Sequence, residues 1–511
     1  MKYAIGTQDF RTLRESGAHY VDKTEHIGKT VNAGRYLFLA RPRRFGKSLT
    51  VSTLNELYSG SAELFGGLWA EHNWDFTERH RPVLWFKFAL LDYHEKGVTR
   101  ALRDDIAAKA VELGVALGVE LTLRDAFTAL LRGAAAAHPS GRVVVLVDEY
   151  DKPIIDYLDD IPRAEANRDE LRGFYGVLKD SDPHIELVFI TGVSAFSKVS
   201  LFSDLNNLLN LTFDEAAYTL VGITQAELER DFAAPLDASG HTRDEVRHWY
   251  NGYAWGEHET VYNPWSILQF LRSGKLENYW AMSGMPTFVT RLLARGGEYR
   301  ITPVSASVLD LTSFNLASIS PVSVLFQGGY LTVKGRRAKT PFYRLDYPNE
   351  EVRQSLLLAL LGEYGFGKAD APTVRVSRLQ DAFEARDLDT VVNVVDASLA
   401  AVPYQLWKER SEAMIHAVVQ TLFTALGLYT RSEVSSARGR ADVVVEVPDY
   451  VYVIELKIGG TVAQAPAQID ARGYAQPYAD DAREVVRLGM VVDVERRRIR
   501  DWGEGGREAA A

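Results

Sequence analysis

The stretch that most limits what this chain can fold into is residues 36–48, Tyr-Leu-Phe-Leu-Ala-Arg-Pro-Arg-Arg-Phe-Gly-Lys-Ser. Its first five residues are an unbroken apolar run bounded by polar segments, which reads as a parallel strand buried on both faces. Leu49, Leu54 and Leu57 then recur at helical spacing. A strand, a loop ending Gly46-Lys47-Ser48 and a helix form a phosphate cradle, because loop amides and a helix N-terminus carry positive partial charge. In that arrangement Lys47 reaches the outer phosphates and Ser48 holds Mg²⁺. The full pattern, G-x-x-x-x-G-K-[ST], has a glycine where this chain has Arg41, so the loop has to begin with ordinary backbone angles. The plain alternative is a helix start with Ser48 in its first turn.

A second stretch, residues 142–151, is a β-branched and leucine run that breaks abruptly into Asp148 and Glu149. Acids at the end of a buried strand suit Mg²⁺-assisted hydrolysis: Asp148 contacts the metal, directly or through water, and Glu149 orients and deprotonates the attacking water. Residues 83–88 and 186–191 are further apolar runs separated from these by helical stretches, one of them an Ala- and Leu-rich span at 100–137 and another at 163–179. Strands alternating with helices predict a doubly wound parallel sheet. An added strand in such folds lies between the phosphate-loop strand and the acidic strand, and 186–191 is the candidate. It would place Thr191 beside the γ-phosphate. Thr191 has two readings, a hydroxyl that senses phosphate and a strand-end cap. Tyr20 likewise reads either as an adenine-stacking ring or as core packing.

The chain has 511 residues, which leads us to expect about three domains at roughly 150 residues each. It has no cysteine, which excludes disulfides, cysteine-ligated zinc and a thiol nucleophile. No apolar run approaches the length of a membrane span, and the N-terminus lacks a signal-peptide core, so a cytoplasmic protein with no membrane partner is expected. The formal net charge of −10 argues against a basic nucleic-acid coat protein. A local basic groove is still compatible with it, and arginines cluster at 41–44, 438–440 and 496–500.

From residue 224 the character changes to short helices (225–232 and 242–250), a shorter apolar run at 208–213 having preceded them. Clusters of aromatic, Gly and Pro residues at 249–253, 261–266 and 279–286 read as packed turns without catalytic chemistry. Residues 322–334 followed by 342–346 read as a hairpin, and 370–406 as helices. An amphipathic helix is expected over 407–426, with Glu412 and His416 on one face. Asp442 then opens an apolar strand, and residues 450–454 run directly into Glu455-Leu456-Lys457. A helix over 463–478 carries Gln468 and Tyr474, and a strand follows at 485–492. Asp442 and Glu455 can share a hard divalent cation. Glu455 and Lys457 are two apart on a strand and so face the same side. Lys457 can orient water or stabilise phosphate charge, and Glu412 can extend the site from its helix. Acids that interrupt buried apolar strands are costly without a purpose, which favours this reading over a surface Glu/Lys pair.

With both ends read, the chain resembles a bacterial family that joins an AAA-ATPase-like P-loop domain to a C-terminal PD-(D/E)xK nuclease-like domain. The resemblance covers nearly the whole chain. It rests on Tyr20-Val-Asp-Lys-Thr24, Arg41-Pro-Arg-Arg-Phe-Gly-Lys-Ser48, Val147-Asp-Glu-Tyr-Asp151, Thr191-Gly-Val193, Trp249-Tyr-Asn-Gly-Tyr253, and Gly439-Arg-Ala-Asp442 with Glu455-Leu-Lys457. It implies an α/β fold: a P-loop NTPase parallel sheet over 1–222, a mainly helical middle domain with a small β element over 223–370, and linker helices with a restriction-endonuclease-like domain over 371–511, core about 407–495. ATP and Mg²⁺ are the implied cofactors. The nucleotide contacts are Arg43, Arg44, Phe45, Gly46, Lys47, Ser48, Leu49, Asp148 and Thr191, with Ser48 and Asp148 on the metal and Glu149 as base. Asp442, Glu455 and Lys457 form the nuclease-type core, the two acids on the metal, with Glu412 and Gln468 as auxiliaries. Arg41 in place of glycine is the family's own habit, and Ala441-Asp442 stands where the nuclease motif has Pro-Asp. The arginine that completes the ATP site is either Arg43 or Arg44 in cis or one from a neighbouring subunit of a homo-oligomer.

Two functions follow as expectations. The first is an ATPase coupled to a Mg²⁺-dependent nuclease acting on DNA, in defence against foreign DNA. The second is a nucleotide-dependent switch or scaffold whose C-terminal domain binds nucleic acid or protein without cutting.

Overall fold

The computed structural model describes residues 2–505 apart from 119, 195–200, 203–204, 206, 258, 283–292, 294–303, 313–319, 362–371, 402–418, 420–421, 423–429, 437–438, 459–460 and 480. The chain divides into two compact units, one of Met1–Trp280 with Thr302–Glu351 and the other of Ala281–Ile301 with Val352–Ala511.

The first unit is built on a parallel five-stranded sheet. Its strands are β1 (Tyr36–Ala40), β2 (Val83–Lys87), β3 (Val143–Asp148), β4 (Ile185–Gly192) and β5 (Leu209–Asn210), in the spatial order β2-β3-β4-β1-β5. β4 therefore lies between the loop-bearing β1 and the acidic β3, pairing Leu39 with Thr191 on one side and Val147 with Ile190 on the other. All residues of β1 and β3 are buried, as a central strand covered on both faces requires. The order brings the C-terminal ends of β1, β3 and β4 side by side, where ligands bind in open parallel sheets.

Residues 223–280 and 304–351 lie in this same unit. They supply a two-stranded ribbon, β6 (Ile223–Thr224) with β7 (Val261–Tyr262), and a three-stranded antiparallel sheet, β8 (Val304–Ser307), β9 (Thr332–Arg336) and β10 (Phe342–Asp346), in the order β8-β10-β9. Helices here begin on side-chain caps: Thr224 and Thr242 each accept from the third helical amide and form reciprocal capping boxes with Glu227 and Glu245. Among the described residues, no helix is long and apolar enough to cross a membrane.

Several expected boundaries move. The span 100–137 is two helices, Val98–Glu112 and Leu123–Ala136, because Gly114 takes a left-handed φ of 65° and Thr122 starts the second helix by accepting from Asp125. The first half of the expected hairpin at 322–334 is a helix, Pro321–Gly328. Ser320 caps it and Pro321 fits its first turn, while Val324, Leu325 and Phe326 are buried without the alternation of a strand. Only β9 and β10 form the hairpin. The run at 208–213 pairs through just Leu209 and Asn210 before a 3₁₀ turn.

The second unit carries a mixed five-stranded sheet in sequence order: β11 (Thr430–Ser436), β12 (Gly439–Glu446), β13 (Tyr450–Ile458), β14 (Glu484–Asp493) and β15 (Arg498–Glu504). Only β13 and β14 run parallel, joined by the helix Gln464–Arg472. That helix stops at left-handed Gly473, six residues earlier than expected, and Gln476–Tyr478 is a separate 3₁₀ turn. Val451 and Val453 of β13 pack with Ile469, Tyr474 and Tyr478, so odd-numbered residues of β13 face the helix. The helices Pro372–Glu384 and Leu388–Ala401 precede the sheet.

Candidate active sites

In the first unit the loop leaves β1 at Ala40. Arg41 donates its amide to Gly192 at 3.2 Å, extending the β1–β4 ladder by one step. Its side chain turns inward and is completely buried. One guanidinium nitrogen donates to the carbonyls of Ala40 and Thr212, both at 2.9 Å, and another to Ala217 at 3.0 Å. The guanidinium plane stacks on Trp255, 3.9 Å from the ring centre. Burial lowers its pKa, with Tyr218 as the opposing influence. Where the fuller motif has glycine, this chain has a cation fastened to three backbone carbonyls and an indole.

The loop then exposes Arg43 and Arg44 and buries Phe45 edge-on against Tyr253 and Trp255, at 4.7 and 5.5 Å between ring centres. The aromatic stretch at 249–253 thus packs against the loop itself. Gly46 has φ 92°, a conformation open to glycine at no steric cost, and it delivers the chain into the helix Lys47–Tyr58. Lys47 is buried, with Nζ donating to the carbonyls of Arg41 and Pro42, both at 2.9 Å. Burial holds its pKa below the ordinary lysine value, against the charges of Asp148, Asp151 and Glu149. Ser48 and Leu49 follow in the first turn, half-buried.

Asp148 ends β3 and accepts from the Thr191 hydroxyl of β4 at 2.9 Å. Thr191 therefore contacts the acid that ends the neighbouring strand. Glu149 sits in left-handed backbone at φ 56°, which costs of order 1 kcal/mol or more in a residue with a side chain. The turn is held by the Tyr150 amide donating to Thr191 at 3.1 Å and by the Tyr150 hydroxyl donating to Ser194 at 2.8 Å. Asp151 is a residue that motif reading passed over. It is buried and accepts from the amides of Val193 and Ser194 at 3.0 and 2.6 Å, and burial pushes its pKa up to about 6. Its signal was the third acid of Asp-Glu-Tyr-Asp, three residues past Asp148. Tyr20 is buried edge-on against Phe10 at 5.1 Å, in core packing.

The structure therefore gathers Lys47, Asp148, Glu149 and Thr191 at adjoining strand ends. A Mg²⁺–nucleotide fits the residues present. Ser48 and Asp148 offer hard oxygen ligands, and Lys47 is a desolvated cation whose own hydrogen bonds are to loop carbonyls that phosphate oxygens can replace.

In the second unit, Glu455 is 3% exposed on β13. Lys457 Nζ donates to its Oε1 at 3.2 Å and to Gln468 Oε1 at 2.5 Å, and Gln468 Nε2 donates to the same carboxylate oxygen. Gln468 therefore bridges acid and lysine from the helix Gln464–Arg472. The helix can come this close because Gly489, paired with Glu455 across the ladder, has no side chain. A Cβ there would lie 2.7 Å from Ala465 and Pro466. Asp442 lies on β12 one residue before Val443, which pairs with Ile454, so Asp442 and Glu455 hold neighbouring register positions. The side chain of Asp442, and the whole of Glu412 and His416, lie outside the described residues. Among the described residues, no group of three or more His, Asp or Glu side chains is arranged to hold a metal ion. Glu455 could supply one hard oxygen ligand to a divalent cation.

Known proteins match at both ends of this geometry. Residues 4–202 match the family model described as "Predicted AAA-ATPase", and residues 410–502 match that of the PD-(D/E)XK nuclease superfamily. A relative from Azotobacter chroococcum mcd 1, titled "Uncharacterized protein in vnfD 5'region", is 38% identical over 507 residues, covering 96% of each chain. The chain belongs to this family of AAA-ATPase-like proteins with a C-terminal PD-(D/E)XK nuclease-superfamily domain. No solved structure matches.

Arg41 stands where the full phosphate-loop pattern has glycine, and its contacts give a prediction. Arg41→Gly, which completes the glycine pattern, and Arg41→Ala both strip charged donors from three buried carbonyls. Either is expected to destabilise the protein by about 2–4 kcal/mol, read as a lower urea midpoint. Unchanged stability would show the contacts to be incidental.

Proposed function

We propose that the protein hydrolyses ATP at the Lys47 site and uses nucleotide state to gate Mg²⁺-dependent cleavage of DNA at the Glu455 site, as a cytoplasmic defence against foreign DNA. The observation that carries this reading is that each unit sets a lysine against an acid on a buried strand, Lys47 with Asp148 in one and Lys457 with Glu455 in the other. In the first, Lys47 neutralises the outer phosphates, Thr191 orients Asp148, and Glu149 takes the proton of the attacking water. Ser48 and Asp148 would hold Mg²⁺, which would supply charge neutralisation on the phosphates. In the second, Glu455 and Asp442 are the metal ligands, Lys457 places or stabilises the attacked phosphate, and Gln468 holds Lys457 and Glu455 in register. The basic residues Arg496–Arg500 of the C-terminal domain are suited to backbone phosphates.

The test is the purified full chain with single- and double-stranded DNA and RNA, with and without ATP, in Mg²⁺ and in EDTA. Cleavage of DNA that needs Mg²⁺ and changes with ATP is the expected result. ATP binding without cleavage of any nucleic acid would instead establish the switch or scaffold function.

A further inference from the structure

One aromatic face in the first unit is covered by a side chain of the phosphate loop. Trp265 is the second residue of the helix Pro264–Ser273, half-buried, and its indole N–H donates to the carbonyl of Tyr279 at 3.2 Å, which fixes the ring. Over the ring, 4.4 Å from its centre, lies the guanidinium of Arg44. Arg44 is exposed and has φ 69°, so loop geometry aims it there at some conformational cost. The same helix start is tied to the loop, since Asn263 donates to the Arg43 carbonyl at 3.4 Å. Gly6 borders the indole edge: a Cβ on it would lie 3.5 Å from the ring.

These contacts bring three properties to one place. A rigid indole stands beside the phosphate loop, the arginine over its face is exposed to solvent, and that group is planar, delocalised and cationic. A guanidinium stacks on an aromatic ring for much the same reasons as a purine does, and it has a stronger partner in phosphate. We infer that Trp265 is the platform on which the purine base of the bound nucleotide stacks, and that Arg44 holds that face as a placeholder and moves onto the phosphates when the base arrives. Backbone of residues 5–7, beside the indole edge, then faces the rim of the base. This rests on the nucleotide-binding reading above and adds the residue that selects for a base.

The test is calorimetric binding of ATP, adenosine and inorganic tripolyphosphate to the full chain, for the wild type, Trp265→Leu, Trp265→Phe and Arg44→Ala. Trp265→Leu is expected to weaken ATP by about tenfold or more, the size of one lost base–aromatic stack, and to leave tripolyphosphate binding unchanged. Trp265→Phe, which keeps a ring and guards against a folding defect, should retain most of the ATP affinity. Arg44→Ala should weaken tripolyphosphate and strengthen adenosine, because it removes a phosphate contact and uncovers the ring. Equal ATP affinity in Trp265→Leu, or an equal loss of tripolyphosphate, overturns the platform and makes the residue a structural prop. A wild type that binds ATP and tripolyphosphate equally well overturns it too. A wild type that binds neither overturns the nucleotide reading itself.

Discussion

Replacing Lys457 by alanine is expected to lower Mg²⁺-dependent DNA cleavage by at least about a hundredfold while leaving ATP hydrolysis at the wild-type rate. The reason is local. Lys457 Nζ is shared between Glu455 and Gln468, and the Glu455 side chain is almost wholly buried. Without the ammonium, the carboxylate loses its opposing charge in a low-dielectric setting. The phosphate loses its positive neighbour at the same time. Lys457 itself is about a quarter exposed, so the fold tolerates the change better than the chemistry does. A gel assay for cleavage run beside a phosphate-release assay for ATP decides it. Intact cleavage would remove the C-terminal assignment, and loss of both activities would mean a folding defect or obligatory coupling, which circular dichroism separates.

The second large effect is expected from Lys47→Ala: ATP hydrolysis falls by at least about a hundredfold, because the cation that meets developing charge on the transferred phosphoryl group is gone. Lys47 is buried among Asp148, Glu149 and Asp151. Its removal leaves those acids uncompensated and adds repulsion toward an incoming triphosphate, so ATP affinity falls as well. DNA cleavage is the informative second readout. Under the gating proposal, cleavage in Lys47→Ala stays at the level of the nucleotide-free wild type whether or not ATP is added. Cleavage that still responds to ATP would break the link between the two sites.

Much of this was readable from the chain because buried parallel strands need apolar side chains on both faces. β1, β3 and β4 announce themselves as continuous runs, and the acids or hydroxyls that end them stand out against that background. Asp148, Glu149 and Thr191 stand at such strand ends and Lys47 opens the helix that follows the loop after β1, so they could be grouped in advance. The helix Pro321–Gly328 could not be told from a strand, because eight mostly apolar residues show no period, and its capping by Ser320 and stop at Gly329 decide the matter. Asp151, though part of the Asp-Glu-Tyr-Asp motif, carries no role readable from the chain because its partners are amides more than forty residues away. The place of Gly489 depends on a helix pressing against it from another part of the chain. Trp265 looked like one of many aromatics in packed turns, and only the loop arginine lying over it gives it a role.

Arg41 carries a mechanical consequence. A loop that begins with glycine can swivel at its entry. This one begins at a fulcrum, because a guanidinium fixed to three carbonyls and an indole cannot swing without stranding its donors. Under the proposed function, movement on nucleotide exchange would be confined to a short lever, residues 43–46. The load on that lever is Phe45, wedged against Tyr253 and Trp255, so under the same proposal a small stroke at the phosphates would reach the segment that holds those two rings.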